Sequence, residues 1–116
     1  MKKIYHLASC TTNQRILKEW GNKVKGFEMQ EIKTESITPE QLDEMKMLAG
    51  SYEALFSKVA LKYRSLGLNE KQLSEKDFRK HILQEYTFLK RPVMINNGTI
   101  FVGNAPKTVA AAKASL

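Results

Sequence analysis

The feature that most limits how this chain can fold lies between two short apolar runs, residues 93–95 and 100–102. The four residues between them include Asn97-Gly98, the strongest short signal for a tight turn joining two antiparallel strands, because both residues adopt positive φ at little cost. We therefore predict a β-hairpin here, and any fold proposed for the chain must contain it.

The first third of the chain alternates strand and helix patterns. Residues 3–7 form a short apolar strand pattern, and residues 11–20 place their apolar side chains at helical spacing before Gly21, a natural helix end. Residues 27–32 form a weaker strand pattern whose buried face the sequence does not fix. These segments predict a β-α-β unit.

The middle of the chain, about residues 38–88, carries helix patterns. In the first, Thr38 fits the N-cap, Pro39 fits the first helical position and Gln41 completes a capping box, while Gly50 ends the helix. The apolar stripe of this helix would comprise Leu42, Met45 and either Leu48 or Ala49.

Two further helices are predicted in this middle segment. One spans residues 52–63, with Val59 on its apolar face. The other begins at Ser74 as N-cap, with Asp77 at the capping-box position. The apolar stripe of the second of these helices would comprise Phe78, Ile82 and Tyr86.

A last helix, capped by Asn104 with Pro106 in its first turn, is predicted to run through Leu116. The elements then follow the order β-α-β, a helical insertion at about residues 38–88, and β-β-α, within a single domain of residues 1–116. This order predicts an α/β protein with a thioredoxin-like (glutaredoxin-like) fold and a mixed four-stranded sheet.

Pro92 strengthens that interpretation, because a thioredoxin-like fold has a cis-proline just before its third strand, facing the start of the first helix. Cys10 would lie at that helix start. The alternative is a trans-proline that merely begins a strand, since few X-Pro bonds are cis.

The composition is that of an ordinary globular domain, with 42% hydrophobic and 27% charged residues in 116. No segment approaches the roughly 18 consecutive apolar residues that span a membrane, so we expect a cytoplasmic protein. The net charge of +7 is spread along the chain without interleaved aromatic residues, which gives nucleic-acid binding little support.

Cys10 is the single cysteine, at the junction of the first strand and the first helix. A thiol at a helix N-terminus lies near unpaired N–H groups, which favours the thiolate and makes Cys10 a candidate nucleophile. The alternative is a small buried apolar residue. Since no second cysteine exists, any disulfide chemistry needs an external thiol.

Several short stretches together carry a family resemblance over nearly the whole chain. They are residues 4–6 ahead of Cys10, residues 52–56 and 63–68, residues 89–93 and residues 102–104. In this order and spacing they resemble the arsenate reductase (ArsC)/Spx family of thioredoxin-like proteins.

The resemblance implies a set of site roles. Cys10 matches the nucleophile, and His6 matches the histidine that helps hold the thiolate, although a strand histidine with a satisfied hydrogen bond is an equal alternative. Arg91, before Pro92, matches an arginine that contacts oxyanion and thiolate, to which its fork of donors is suited. The anion-binding nest would be formed by the N–H groups of Thr11, Thr12, Asn13 and Gln14.

The chain also departs from the arsenate reductases. They carry an arginine four residues after the cysteine, where this chain has Gln14 and then Arg15, and another near the place of Lys58. At the place of a third, the chain has residues 103–104, Gly-Asn. Only Arg91 stays in register, so we expect weak arsenate reduction. The sequence does not decide whether Arg15 replaces the arginine that is missing one position earlier.

The resemblance therefore implies a thiol-dependent oxidoreductase without a bound cofactor or metal, acting on a small oxyanion or disulfide, with glutathione, glutaredoxin or another external thiol as reductant. One alternative is an Spx-like regulator that binds RNA polymerase, although Asn13 replaces the second cysteine of the Spx redox switch. Another is a family member without catalytic activity.

Overall fold

The computed structural model describes all 116 residues, and its elements follow the predicted order. The strands are β1 (Lys2–His6), β2 (Glu28–Glu31), β3 (Val93–Asn96) and β4 (Thr99–Val102). The α-helices are α1 (Thr11–Trp20), α2 (Pro39–Ala49), α3 (Leu61–Ser65), α4 (Glu75–Gln84) and α5 (Pro106–Ala114). Short 3-10 turns occupy Gly21–Val24, Glu53–Leu55, Leu68–Glu70 and Tyr86–Phe88. None of the helices is both long and apolar enough to cross a bilayer.

The chain divides into two compact units. One consists of Met1–Ser36 and Arg91–Leu116, and the other of Ile37–Lys90. The first unit, called the sheet-containing unit below, contains the whole sheet together with α1 and α5. The second, called the helical unit, contains α2, α3 and α4. The assignment of residues 1–116 to a single domain with an insertion at about 38–88 stays a prediction.

The sheet is mixed and four-stranded, with strand order β2-β1-β3-β4, as predicted. Strand β1 pairs in parallel with β2 and antiparallel with β3, and β3 pairs antiparallel with β4. Asn97 and Gly98 join β3 to β4 with φ of 49° and 91°, the two positive values of a type I′ turn. The hairpin prediction is confirmed.

The core of the sheet-containing unit forms where one face of the sheet meets α1 and α5. Ile4 and Met94 from the sheet pack there with Ile16 and Trp20 of α1, and the indole N–H of Trp20 donates to the Val109 carbonyl oxygen at 3.3 Å. The helical spacing of the apolar residues in α1 therefore corresponds to a real buried face.

Strand β2 is shorter than the predicted strand over residues 27–32. Gln30 is its buried residue, at 2% exposure, and its side-chain amide donates to the carbonyl oxygens of Glu35 and Ser36. Met29 on the other face is 42% exposed. A buried amide with backbone partners explains why apolar alternation alone could not identify the inner face.

Both predicted capping boxes of the helical unit are present. The Thr38 hydroxyl accepts from the Gln41 N–H at 3.0 Å, and the Ser74 hydroxyl accepts from the Asp77 N–H at 3.2 Å. The boxes fix the starts of α2 and α4 locally, as sequence reasoning expected. Helix α2 ends at left-handed Gly50, as predicted. The buried residues of the two helices are Leu42, Met45, Phe78 and Ile82.

The predicted helix over residues 52–63 is wrong. A 3-10 turn ends at Leu55, and Phe56 then adopts extended backbone and forms an isolated antiparallel bridge with Leu89. Flanking hydrogen bonds run from the Lys90 N–H to the Leu55 carbonyl and from the Ser57 N–H to the Phe88 carbonyl, at 2.8 and 2.7 Å. Val59, which the pattern placed on a buried face, is 92% exposed.

This bridge has an aromatic cluster behind it. The Phe56 ring stacks on Phe88 at 4.9 Å between centroids and contacts Phe78 and Tyr63 at 4.9 and 5.8 Å. Burial of Phe56, which is 1% exposed, overrides the helical spacing of its neighbours because a tertiary contact outweighs local propensity.

The predicted start of the last helix also needs correction. The N-cap of α5 is Ala105, which makes no side-chain cap, and Pro106 is the first helical residue. The extended φ and ψ of Ala105, −60° and 135°, are those that a following proline favours. Pro106 thus begins the helix one residue later than an Asn104 cap would.

A polar cluster ties α2 to α4 within the helical unit. The Arg79 guanidinium donates to both carboxylate oxygens of Asp43, at 2.9 and 3.2 Å, and the Tyr52 hydroxyl donates to Asp43 at 2.6 Å. The hydrogen bond from Arg79, followed by that from Tyr52, lowers the pKa of Asp43 from 3.8 to about 2.

Asp43→Asn should lower the thermal midpoint at neutral pH, because it removes a charged acceptor of three hydrogen bonds. The depressed pKa means that the stabilisation is complete above pH 3.8 and is lost as the pH falls through about 2. Thermal unfolding at pH 7 and pH 2 measures this, with Glu40→Gln in the first turn of α2 as control. A difference between wild type and Asp43→Asn that does not shrink with acid would contradict the assignment.

Candidate active site

Cys10 is the N-cap of α1, with extended φ and ψ of −83° and 116° and no side-chain cap of its own. Its N–H donates to the Leu7 carbonyl at 3.1 Å, which closes a tight turn between β1 and α1. The side chain is partly buried. The structure thus confirms the predicted placement of the thiol at a strand-to-helix junction, with access to solvent.

The Asn13 side chain connects the Cys10 thiol to the end of β1. Its Oδ1 accepts from the Leu7 N–H at 3.0 Å, and its Nδ2 donates to the Cys10 Sγ at 3.6 Å, within the range for a sulfur acceptor. Asn13 is 1% exposed. The buried Asn13 amide therefore links the sulfur to the backbone at the end of β1.

Gln14, which stands where the arsenate reductases have an arginine, is engaged with the Cys10 turn. Its Nε2 donates to the Ala8 carbonyl at 2.7 Å, and its backbone N–H donates to the Cys10 carbonyl at 3.0 Å. The Gln14 N–H is therefore committed to the helix, which corrects its predicted place in the anion nest. The N–H groups without an intrahelical acceptor belong to Thr11, Thr12 and Asn13.

A carboxylate that sequence reasoning missed also reaches this turn. Glu31 Oε1 accepts from the Ala8 N–H at 3.1 Å, and Oε2 accepts from the Lys33 N–H, the Thr34 N–H and the Thr34 hydroxyl at 3.1, 2.8 and 2.9 Å. Desolvation acts to raise the pKa of Glu31, but these hydrogen bonds together hold it below its ordinary value. Its position at the end of a weak strand pattern gave no signal.

His6, the last residue of β1, is predominantly neutral near pH 7. Burial lowers its pKa below 6.5, and the nearby Glu31 carboxylate opposes that effect only in part. The Nδ1 atom is buried without a hydrogen-bond partner. The role of His6 in holding the thiolate and the alternative of a strand histidine with a satisfied hydrogen bond both stay predictions.

Arg91 and Pro92 precede β3 and are joined by a cis peptide bond, as predicted. The antiparallel register pairs Tyr5 with Val93. Arg91 and Pro92 come just before β3, at the end of the sheet where β1 runs into the Cys10 turn. The pairing of β1 with β3 therefore brings the predicted arginine to the end of the sheet that carries the cysteine.

The remaining predicted site residues occupy separate places. Thr11 and Arg15 are exposed on α1 and Thr12 is half-buried there. Lys58 belongs to the helical unit, where its Nζ lies 3.1 Å from a carboxylate oxygen of Glu53. Oxyanion contacts from Arg15 and Lys58 stay predictions. No group of three or more His, Cys, Asp or Glu side chains is arranged to hold a metal ion.

Asn13→Ala should lower the free energy of unfolding by about 1–3 kcal/mol, because the Leu7 N–H would lose its buried acceptor. Chemical denaturation measures the change. Asn22→Ala, the same substitution at an exposed position after α1, serves as control and should change stability by less than about 0.5 kcal/mol. Equal effects of the two substitutions would show that the Asn13 bridge contributes nothing specific.

Solved structures share this architecture. A Yersinia pestis protein, named provisionally as an arsenate reductase, superimposes with a TM-score of 0.79 at 17% identity over 96% of this chain and 99% of its own. An arsenate reductase from Vibrio cholerae matches with a TM-score of 0.73 at 24% identity over 95% of each chain. An arsenate reductase (ArsC) related protein from Brucella melitensis matches with a TM-score of 0.71 at 22% identity, over 95% of this chain and 92% of its own.

These likenesses confirm the predicted thioredoxin-like fold. No curated protein sequence matches significantly. A sequence profile of the ArsC family, however, matches residues 5–112, which include the Cys10 turn, the helical unit and the Arg91-Pro92 step. The chain belongs to the ArsC family.

Proposed function

We propose that this protein is a thiol-dependent reductase in which Cys10 is the nucleophile and an external thiol completes the cycle. The observation that carries the proposal is the Cys10 Sγ at the start of α1, within hydrogen-bond reach of the buried Asn13 amide. A thiolate is the reactive form of cysteine, and both the helix N-terminus and an amide donor stabilise a negative sulfur. Membership of the ArsC family supports the same chemistry.

The single cysteine determines the form of the cycle. With a disulfide substrate, the Cys10 thiolate attacks one sulfur, the sulfur–sulfur bond breaks, and the other sulfur leaves as a thiolate. A thiolate from glutathione or another external thiol then attacks the substrate sulfur of the mixed disulfide and releases Cys10 as a thiolate. A second external thiolate attacks the external-thiol sulfur of that product and releases the remaining substrate sulfur as a thiolate. The substrate sulfurs are reduced by two electrons and the external thiols are oxidised to a disulfide, so that no second protein cysteine takes part.

Arsenate is the obvious oxyanion to try, because one of the similar structures is an arsenate reductase from Vibrio cholerae. In that reaction Cys10 would displace one arsenate oxygen as water and form a covalent thiol adduct. Two thiols, glutathione among them, would then supply the two electrons that yield arsenite and a disulfide, with glutaredoxin as a reductant of the mixed disulfide.

The charge at the site supports weak arsenate turnover. Arg91 is the cation that the sheet register brings to the Cys10 end, while Gln14 stands in the place of an arginine and donates to the Ala8 carbonyl. A neutral amide committed to the backbone stabilises far less developing charge than a guanidinium. A small disulfide, which carries no concentrated negative charge, suits such a site better. Binding to RNA polymerase stays a prediction that no observed contact favours.

Cys10→Ser should abolish turnover of a small disulfide such as hydroxyethyl disulfide, because the hydroxyl is not ionised near neutral pH. The coupled glutathione and glutathione reductase assay measures this. With arsenate, glutathione and glutaredoxin we expect slower wild-type turnover and none after Cys10→Ser. A Cys10→Ser protein that retained wild-type turnover of both substrates would exclude the proposed function.

Arsenate or phosphate should slow the alkylation of Cys10 by iodoacetamide if the oxyanion binds beside the thiol. Arg91→Gln should weaken this protection about tenfold in anion concentration, the order expected for one charged hydrogen-bonding group. Lys18→Gln is the matched control, since Lys18 is exposed in the last turn of α1 and its loss should leave protection unchanged, while Arg15→Gln tests the predicted contact from Arg15. Loss of protection in Arg15→Gln alone would transfer the oxyanion role to Arg15.

A further inference from the structure

The carboxylate of Glu31 makes a second side-chain hydrogen bond to the turn that carries Cys10, independent of the one made by Asn13. Strand β2 runs parallel to β1, with Glu31 in register with His6, so both strands end at the same edge of the sheet. From this edge Glu31 Oε1 reaches the Ala8 N–H, two residues before Cys10. The contact joins the end of β2 to the catalytic turn proposed above.

The other oxygen of Glu31 fixes where that carboxylate lies. Oε2 accepts three hydrogen bonds from Lys33 and Thr34, the residues that immediately follow β2. A carboxylate held by three donors on one oxygen has little rotational freedom left for the other. Glu31 is therefore a fixed acceptor for the Ala8 N–H rather than a flexible surface side chain.

Ala8 is held on both of its backbone polar groups. Its carbonyl accepts from the Gln14 side chain at 2.7 Å, while its N–H donates to Glu31 at 3.1 Å. The next constraint along the chain is the hydrogen bond from the Cys10 N–H to the Leu7 carbonyl. Movement of Ala8 must therefore alter the turn that sets the direction of the Cys10 side chain.

We propose that Glu31 is a positioning residue for Cys10: its carboxylate clamps Ala8 and thereby holds the thiol in its reactive orientation. The effect passes through the backbone of the turn and not through contact with substrate. This inference rests on the proposed function for its catalytic consequence, although the clamp itself can be measured without turnover. A misplacement of a reacting group by about 1 Å can cost up to roughly a hundredfold in rate.

The test uses hydrogen exchange of the Ala8 and Cys10 amides together with disulfide turnover. Glu31→Ala should lower the exchange protection of both amides about tenfold and reduce kcat by a similar factor, with KM little changed. Glu35→Ala is the matched control, because Glu35 is exposed in the same segment after β2 and should leave all three values at wild type.

Glu31→Gln provides a second variant should Glu31→Ala unfold. It retains one oxygen acceptor and removes the charge, so protection and kcat should lie between those of wild type and Glu31→Ala. The pKa of His6, followed by NMR, should fall further in Glu31→Gln, because the carboxylate raises it in the wild type. That fall reports only the loss of the carboxylate charge, whereas exchange protection and kcat report on the clamp.

Two results would overturn the inference. One is loss of protection at Ala8 with the Cys10 amide and kcat unchanged, which would make Glu31 a local brace only. The other is unchanged protection at Ala8. Failure of the proposed function is distinguishable, since it would appear as turnover that survives Cys10→Ser, whereas the exchange of the Cys10 amide reports on the clamp in either case.

Discussion

The pairing of β1 with a strand on each side is the constraint on which the candidate site depends. The parallel ladder with β2 brings Glu31 to His6, and the antiparallel ladder with β3 carries Arg91 and Pro92 to the same end of the sheet. A shift of either register by one residue would reverse which face each side chain occupies. Buried Ile4 and Met94 prevent that shift, because both would leave the core they share with α1 and α5. The hydrophobic core of this unit therefore also sets the geometry around Cys10.

Within that frame, polar side chains hold the turn that carries Cys10. The Asn13 side chain accepts a hydrogen bond from the Leu7 N–H, and the Glu31 carboxylate accepts one from the Ala8 N–H. The Gln14 side chain donates a hydrogen bond to the Ala8 carbonyl. Each satisfies a backbone group that lies outside the ladders of the sheet and the helix. The Leu7 N–H is the costliest of these to leave without a partner, because its hydrogen bond to Asn13 is buried. The same contacts favour one orientation of the thiol. In the function proposed for Cys10, stability and reactivity would depend on the same hydrogen bonds, because a nucleophile gains from being fixed before substrate arrives.

How much of this could be predicted from the sequence depended on how local each signal was. The Asn97-Gly98 turn and the boxes at Thr38 and Ser74 were correct because their partners lie within four residues. The helix predicted over residues 52–63 was wrong because Phe56 pairs with Leu89, a partner that no local pattern indicates. Strand and helix spacing placed Cys10 at the start of α1, and the element order placed Pro92 before the third strand, whereas the family resemblance supplied the role of Arg91.

Glu31 was missed for the same reason, since its importance lies in a contact with Ala8 across 23 positions of sequence. Its presence also changes the electrostatic character of the site. The arsenate reductase pattern surrounds the cysteine with arginines, whereas here a carboxylate and the Asn13 and Gln14 amides occupy the neighbourhood of the turn. Amides orient a sulfur nucleophile without attracting a multiply charged oxyanion. The retained turn and the reduced positive charge are the grounds on which we propose thiol exchange, rather than efficient oxyanion reduction, for this site.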